Sequence, residues 1–261
     1  MADPLIRRFD EYRESKAAEW FENPVSTEDW YLSKEPVHEA AEEPRLAISR
    51  SGVTGYAKRC PPGRPEAANE KIASDLAMVL KIPVPPVVLW QDEQEEIYSI
   101  SMQAFPCTIN WGQATTLIAD PQFQKNCRPI FAAAYVFHCW IDDGDHDGSP
   151  RNVIVNKTSS VSLPEVAFVD HTICLHWGAV LDQPIKHRTA GYGFGFENGC
   201  GQNPAAPEIS APVNWITELS PHDINAIVDK IPEHYLAANF RKNIAPGLLE
   251  RQKLLAKFFG T

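Results

Sequence analysis

The feature that most constrains this chain is the order of its patterns. The runs LAIS and TGYAKRC flank Ser51-Gly52, so they read as a hairpin that leaves Lys58 on a strand. A proline-rich loop, CPPGRPE, leads into a helix expected from about Glu66 to Lys81, where Ala68, Ile72, Leu76, Val79 and Leu80 recur at helical spacing. Pro83, Pro85 and Pro86 stop it, and VVLW and IYSISM follow as two strands around the turn DEQEE. A second helix carries Ile130, Ala133, Ala134, Phe137, Trp140 and Ile141 on one apolar stripe and runs into an aspartate-dense loop, DDGDHDGSPRN. A short strand (VIV), a polar turn (NKTSS) and a second strand, VAFVD, then end on Asp170.

The flanking segments are less specific. Residues 1–30 read as one amphipathic helix plus a loop, with Trp20, Phe21 and Trp30 as anchors. The acidic, proline-punctuated stretch SKEPVHEAAEEP, from Ser33 to Pro44, reads as a surface loop. A glycine-rich stretch at 191–201 precedes about fifty helical residues, broken at Ile231-Pro232 and closed by the basic amphipathic run LLERQKLLAKFF.

This order has a chemical reading. Phosphoryl transfer in kinases is mostly positioning and charge stabilisation: a strand lysine holds phosphates and a helix glutamate orients that lysine. A loop aspartate accepts the substrate proton, and an asparagine and a later aspartate hold Mg²⁺. In kinase-type loops the base and the asparagine are five residues apart, which is the separation of Asp147 from Asn152.

Each residue alone has a plainer explanation. A strand lysine is usually a solvated edge residue, and a glutamate in a first helical turn compensates the helix dipole. Asp143, Asp145, Asp147 and Gly148 match the start of a calcium loop, but its twelfth position is Ile154, which cannot supply a carboxylate. The glycine run at 191–201 neither follows a strand nor opens a helix, so it does not suggest a dinucleotide site. His138, beside Phe137, reads as a packed or surface histidine, and His176 and His187 lack metal spacing. It is the joint occurrence of Lys58, Glu70, Asp147, Asn152 and Asp170 in this order that carries the reading.

Bulk properties narrow the class. A formal charge of −10 disfavours nucleic acid and anionic lipid as general partners, and no apolar run approaches the ~20 residues of a bilayer span. The charged N-terminus has no apolar signal-peptide core, and the six cysteines form no CxxC pair, so a cytoplasmic protein with reduced thiols is expected.

At GYAKR, ANEKIASDLAMVLKIPVP, AAYVFHCWIDDGDHDGSPRNVIV, FVDHT and LSPHDINAIVDKIPEHY the chain resembles the HipA-like kinases, specifically their short branch. That family's core is shared with protein kinases and phosphatidylinositol 3-/4-kinases. The resemblance covers most of residues 50–256. It implies an α+β, bilobal protein-kinase-like fold forming a single domain over 1–261, with a small β-rich lobe (1–104) and a larger, mainly helical lobe (105–261). It implies ATP and Mg²⁺ as cofactors and a protein substrate or partner, with serine or threonine as the expected acceptor.

Carried over by residue, Lys58 becomes the phosphate-binding lysine and Glu70 the helix glutamate, with Glu66 one turn earlier as its alternative. Asn152 and Asp170 become Mg²⁺ ligands, and His171 completes the family's Asp-His pair. The linker near Gln103, Ala104 and Phe105 would face the adenine. Counting back from Asn152 selects Asp147 as the base, whereas aligning forward from Trp140 selects Asp145; the first is preferred because convergence on the metal is a physical requirement. Two departures stand out. The 33–44 stretch, where the family covers phosphate, has no glycine, and Thr172 replaces the glycine that commonly follows the Asp-His pair. They leave a second reading, a catalytically degenerate, kinase-shaped binding or regulatory module.

Overall fold

A computed structural model describes residues 14–37, 44–144, 146, 151–175, 185, 204 and 206–261. Residues 14–22 form helix α1. An antiparallel sheet of β1 (Trp30–Pro36), β2 (Arg45–Ser49), β3 (Thr54–Cys60), β4 (Val87–Gln91) and β5 (Ile97–Met102) follows, in the order β1-β2-β3-β5-β4. Helix α2 (Glu66–Val79) crosses from β3 to β4 and packs on the sheet. A small second sheet, β6-β7-β8, is built from Thr108–Asn110, Val153–Asn156 and Val166–Phe168. The remaining helices among the described residues are α3 (Thr115–Ile118), α4 (Pro121–Ile141), α5 (Ala206–Thr217), α6 (Pro221–Asp229) and α7 (Ala238–Phe259), with a short 3₁₀ turn at Trp111–Gln113. The fold is thus α+β, a β-rich part joined to a mainly helical one. Among the described residues no helix is long and apolar enough to cross a membrane.

Strand alternation divides the main sheet into two faces. Ala57 on β3, Val88 on β4 and Ile100 on β5 turn to one side, where Trp20 and Trp30 cover them. Lys58 and Cys60 turn to the other side, and Cys60 joins the large core beneath α2. The β2–β3 turn uses Gly52 at φ 90, a conformation that costs glycine nothing.

Two elements differ from the sequence reading. Ser33 to Pro36 belong to β1 rather than to a loop: Leu32 pairs with Ala47, and Pro36 with Arg45 after a bulge. Because β1 is the sheet edge, Pro36 breaks no further ladder, and the Lys34 and Glu35 side chains point to water. Residues 38–43 lie outside the described residues, as does the glycine-rich stretch 191–201. Helix α4 begins nine residues before Ile130, capped by Asp120, whose Oδ1 accepts the Gln122 and Phe123 N–H groups at 2.8 and 3.3 Å. An aspartate followed by proline at the first helical position is a strong start signal.

Helix α4 ends where the aspartate-dense loop starts. Asp142 takes a left-handed conformation (φ 57), and the Asp143 N–H closes on the His138 carbonyl at 3.0 Å. Arg251, reaching in from α7 and only 1% exposed, satisfies the last carbonyls: it donates to Cys139 at 2.6 Å, to Trp140 at 2.7 Å and to the Asp142 carboxylate at 3.3 Å. The Trp140 indole returns a bond to the Leu248 carbonyl at 2.9 Å. The final helix therefore fixes the loop's point of departure.

Candidate active site

Three elements, two consecutive and one more than a hundred residues later, converge at Lys58. Its Nζ lies 2.5 Å from Asp170 Oδ1 and 3.7 Å from Glu70 Oε1. The lysine comes from β3, the glutamate from the first turns of α2, and the aspartate from just beyond β8. The strand–helix packing expected to bring Lys58 within reach of Glu70 is present. Glu66, the alternative, pairs instead with Arg64 at 3.3 Å. Glu70 also accepts the His171 N–H through Oε2 at 3.0 Å, so a single carboxylate spans both the lysine and the segment after Asp170.

Asp170 sits in the left-handed region (φ 72), a conformation that costs a non-glycine residue about 1–2 kcal/mol. Surrounding bonds hold it there. Asp170 Oδ1 accepts from Lys58 and from the Thr172 hydroxyl at 2.9 Å. Burial acts to raise its pKa, but the Lys58 charge and these bonds outweigh it and hold the carboxyl below its ordinary value. Asn69 fixes the next turn, donating from Nδ2 to the carbonyls of Thr172 (3.1 Å) and Cys174 (2.9 Å). Thr172, a departure at sequence level, thus supplies a hydroxyl that orients Asp170.

The β7–β8 hairpin sets the relation between Asn152 and Asp170. Val153 pairs with Phe168, and the Val169 N–H continues the ladder to the Asn152 carbonyl at 2.9 Å. Asn152 is therefore level with Val169, one residue from Asp170, at the same end of the hairpin. A carboxylate and an amide oxygen there are hard donors of the kind Mg²⁺ takes, alongside phosphate oxygens and water.

The linker has its own bonds. The Gln103 N–H donates to the Thr54 carbonyl at 3.0 Å, and the Phe105 carbonyl accepts from Gln103 Nε2 (2.9 Å) and Thr108 Oγ1 (3.2 Å). Ala104 and Phe105 pack against Ala167 and Ile154 from the second sheet, which places an apolar floor beside the linker. Asp145 and Asp147, the two candidates for the base, lie outside the described residues.

Beneath Asp170 the structure assembles a group that the sequence reading missed. His138, Asp143, His146 and His171 are all buried, with one ligating atom of each within 4.8 Å of the others. His138 Nε2 and His171 Nε2 are 3.1 Å apart, and His146 Nδ1 lies 3.1 Å from Asp143 Oδ2. His146 stacks on His138 with ring centroids 4.1 Å apart. Burial, with His146 alongside, pushes His171 down to about 3. Burial would raise Asp143, but the neighbouring imidazoles, His146 foremost, hold it well below the usual carboxylate range. The available signal was His138, Asp143 and His146 within nine residues at a helix end, with a fourth donor in the Asp-His pair.

No protein-family model and no curated protein matches the chain. Solved structures do. The proinflammatory kinase CtkA of Helicobacter pylori superposes with a TM-score of 0.61 at 11% identity, over 88% of this chain and 94% of that one. HipA of Shewanella oneidensis MR-1, solved in a toxin–antitoxin complex with HipB and operator DNA, superposes with a TM-score of 0.55 at 14% identity, over 94% of this chain and 71% of that one. With the strand lysine, helix glutamate and hairpin-end aspartate in one place, these likenesses show that the chain has the fold of the HipA-like kinases.

Proposed function

We propose that this protein is an ATP- and Mg²⁺-dependent phosphotransferase of the HipA-like type, with a protein serine or threonine as acceptor and the cytoplasm as its place of work. The observation that carries the reading is the meeting of Lys58, Glu70 and Asp170 from three separate elements. Chance surface pairing does not explain a lysine 12% exposed that faces two carboxylates contributed 12 and 112 residues later.

In this reading Lys58 holds the nucleotide phosphates, and Glu70 keeps the ammonium pointed into the cleft. Asp170 and Asn152 hold the Mg²⁺, which neutralises charge on the phosphates. Thr172 restrains the Asp170 carboxylate, and Glu70 restrains the chain behind it through His171. Asp147, or Asp145, accepts the proton of the substrate hydroxyl. The cleft divides the lobes near residue 104, and the adenine rests against the linker and the Ile154–Ala167 floor.

A second reading, a nucleotide-poor binding or regulatory module of the same shape, is favoured by the glycine-free, acidic 33–44 stretch. Two measurements separate them. Thermal shift with ATP should show stabilisation that needs Mg²⁺ in the wild type and is lost in Asp170→Ala. Transfer of labelled γ-phosphate to the protein itself, to protein extracts or to water should fall by roughly 10²–10⁴-fold in Asp147→Asn, with ATP affinity kept. Undiminished Mg²⁺-dependent ATP affinity in Asp170→Ala would sink the metal-ligand assignment. A wild type that transfers no phosphate leaves the binding module.

A further inference from the structure

We propose that His138, Asp143, His146 and His171 form a structural zinc site that staples the aspartate-dense loop to the segment following Asp170. The donor set is three imidazoles and one carboxylate, the borderline nitrogen and oxygen ligands that zinc takes in four-coordinate sites. It is separate from the Asn152–Asp170 pair, whose amide and carboxylate oxygens suit Mg²⁺. The zinc site would exist whether or not the protein transfers phosphate.

The donor spacing is close to what a single four-coordinate ion needs. Zinc bonds of about 2.0–2.2 Å hold neighbouring donor atoms roughly 3.3–3.5 Å apart. Two edges, His138 to His171 and His146 to Asp143, are already 3.1 Å, and all four donors fall within 4.8 Å of one another. Shifts of about an ångström in side chains would equalise the edges. Three neutral imidazoles and one carboxylate carry a charge of −1, so a divalent cation leaves +1 where an ionised Asp143 is otherwise fully buried. Each donor is 5% exposed or less, which leaves no open coordination position for a substrate and assigns the site a structural role.

The ligands also lie where a staple would matter. His138 is in the last turn of α4, Asp143 and His146 begin the loop that continues to Asn152, and His171 follows Asp170 directly. Phe168, on β8, closes the cluster from the side, its ring 5.6 Å from His138. A metal here would tie the end of α4, the loop and the end of β8 into one unit.

Protein purified without chelators from zinc-supplemented cells should carry about one zinc per chain by mass spectrometry, whereas Asp143→Asn and His146→Gln should lose it, with affinity weakened about a hundredfold or more. Stripping with phenanthroline should lower the melting temperature; Zn²⁺ should restore it, and equal Mg²⁺ should not. Cobalt added to the stripped wild type should give the visible bands of a tetrahedral site. That spectrum requires no variant, so it decides the matter even where a substitution prevents folding. A wild type that takes up no zinc and gives no tetrahedral cobalt bands has only a hydrogen-bonded histidine cluster, which overturns the proposal. Zinc retained at full occupancy by both variants overturns it as well, since the metal would then sit elsewhere.

Discussion

Replacing Lys71 with methionine tests how α2 tolerates burial on every side. Residues 66–77 of this helix are all buried, and Lys71 is among them. Its ammonium lies 2.6 Å from Asp75 Oδ1 and donates to the Trp20 carbonyl at 2.9 Å, which ties α1 to α2. At 2.6 Å and an effective dielectric of ~20 the lost attraction is about 6 kcal/mol. Proton uptake by Asp75 limits the damage: burial, against the pull of Lys71, already raises this carboxyl to about 6. The net loss should be about 3–5 kcal/mol, the usual result of removing one member of a buried pair. For a chain of this size that is roughly 6–20 °C in melting temperature. The sign with pH follows from the raised value. The folded state binds more protons than the unfolded one between about 4 and 6, so the Asp75 contribution is most favourable below that window and is lost as pH rises through about 6. The defect of Lys71→Met should therefore be larger at pH 7.5 than at pH 5, readable by differential scanning fluorimetry at both. Lys71→Met/Asp75→Leu should recover most of the loss, because both charges go together. A single-variant loss under about 1 kcal/mol, or a double variant no better than the single, would refute the reasoning.

Glu70→Gln should keep the bond to the His171 N–H and preserve folding while lowering phosphoryl transfer. Glu70→Ala should in addition cost about 1–3 kcal/mol by urea titration, because a buried N–H loses its acceptor. Arg251→Met should cost about 3–5 kcal/mol by the same titration, since it strips two carbonyls at the end of α4 and the Asp142 carboxylate of a buried cation. Glu28, bonded to Lys16 at 2.9 Å and to the Ser51 hydroxyl at 2.6 Å, is held at about 2 against a burial effect that would raise it. Its depressed pKa stabilises the fold above its unfolded value of 4.5, and this contribution disappears as pH falls from there towards 2. Melting curves of Glu28→Gln should accordingly lie below wild type at pH 7, approach it as pH falls below 4.5 and meet it only near pH 2.

The local elements that carry the site were legible because each has a short-range cause. Alternation and the Ser51-Gly52 turn place Lys58 on β3, the stripe from Ala68 to Leu80 places Glu70 on a helix, and the polar turn between VIV and VAFVD returns the chain to Asp170. The meeting of Lys58 with Glu70 follows from those elements packing as strand and helix, so it too could be expected. What the sequence did not disclose depends on contacts between residues far apart. The stripe carried no sign that Lys71 and Asp75 are buried, yet the sheet, α1, α6 and the Asp170 segment enclose α2 from Glu66 to Ala77, and only Met78 and Val79 at its end are exposed. Arg251 looked like one charge of a basic surface helix and is instead the buried cap of α4. His138, Asp143, His146 and His171 become a cluster only when the hairpin returns His171 to the end of α4. Local sequence sets which side chains share a strand or helix face, but the partner of a buried charge is chosen by packing between elements, and no periodicity within a segment encodes that choice.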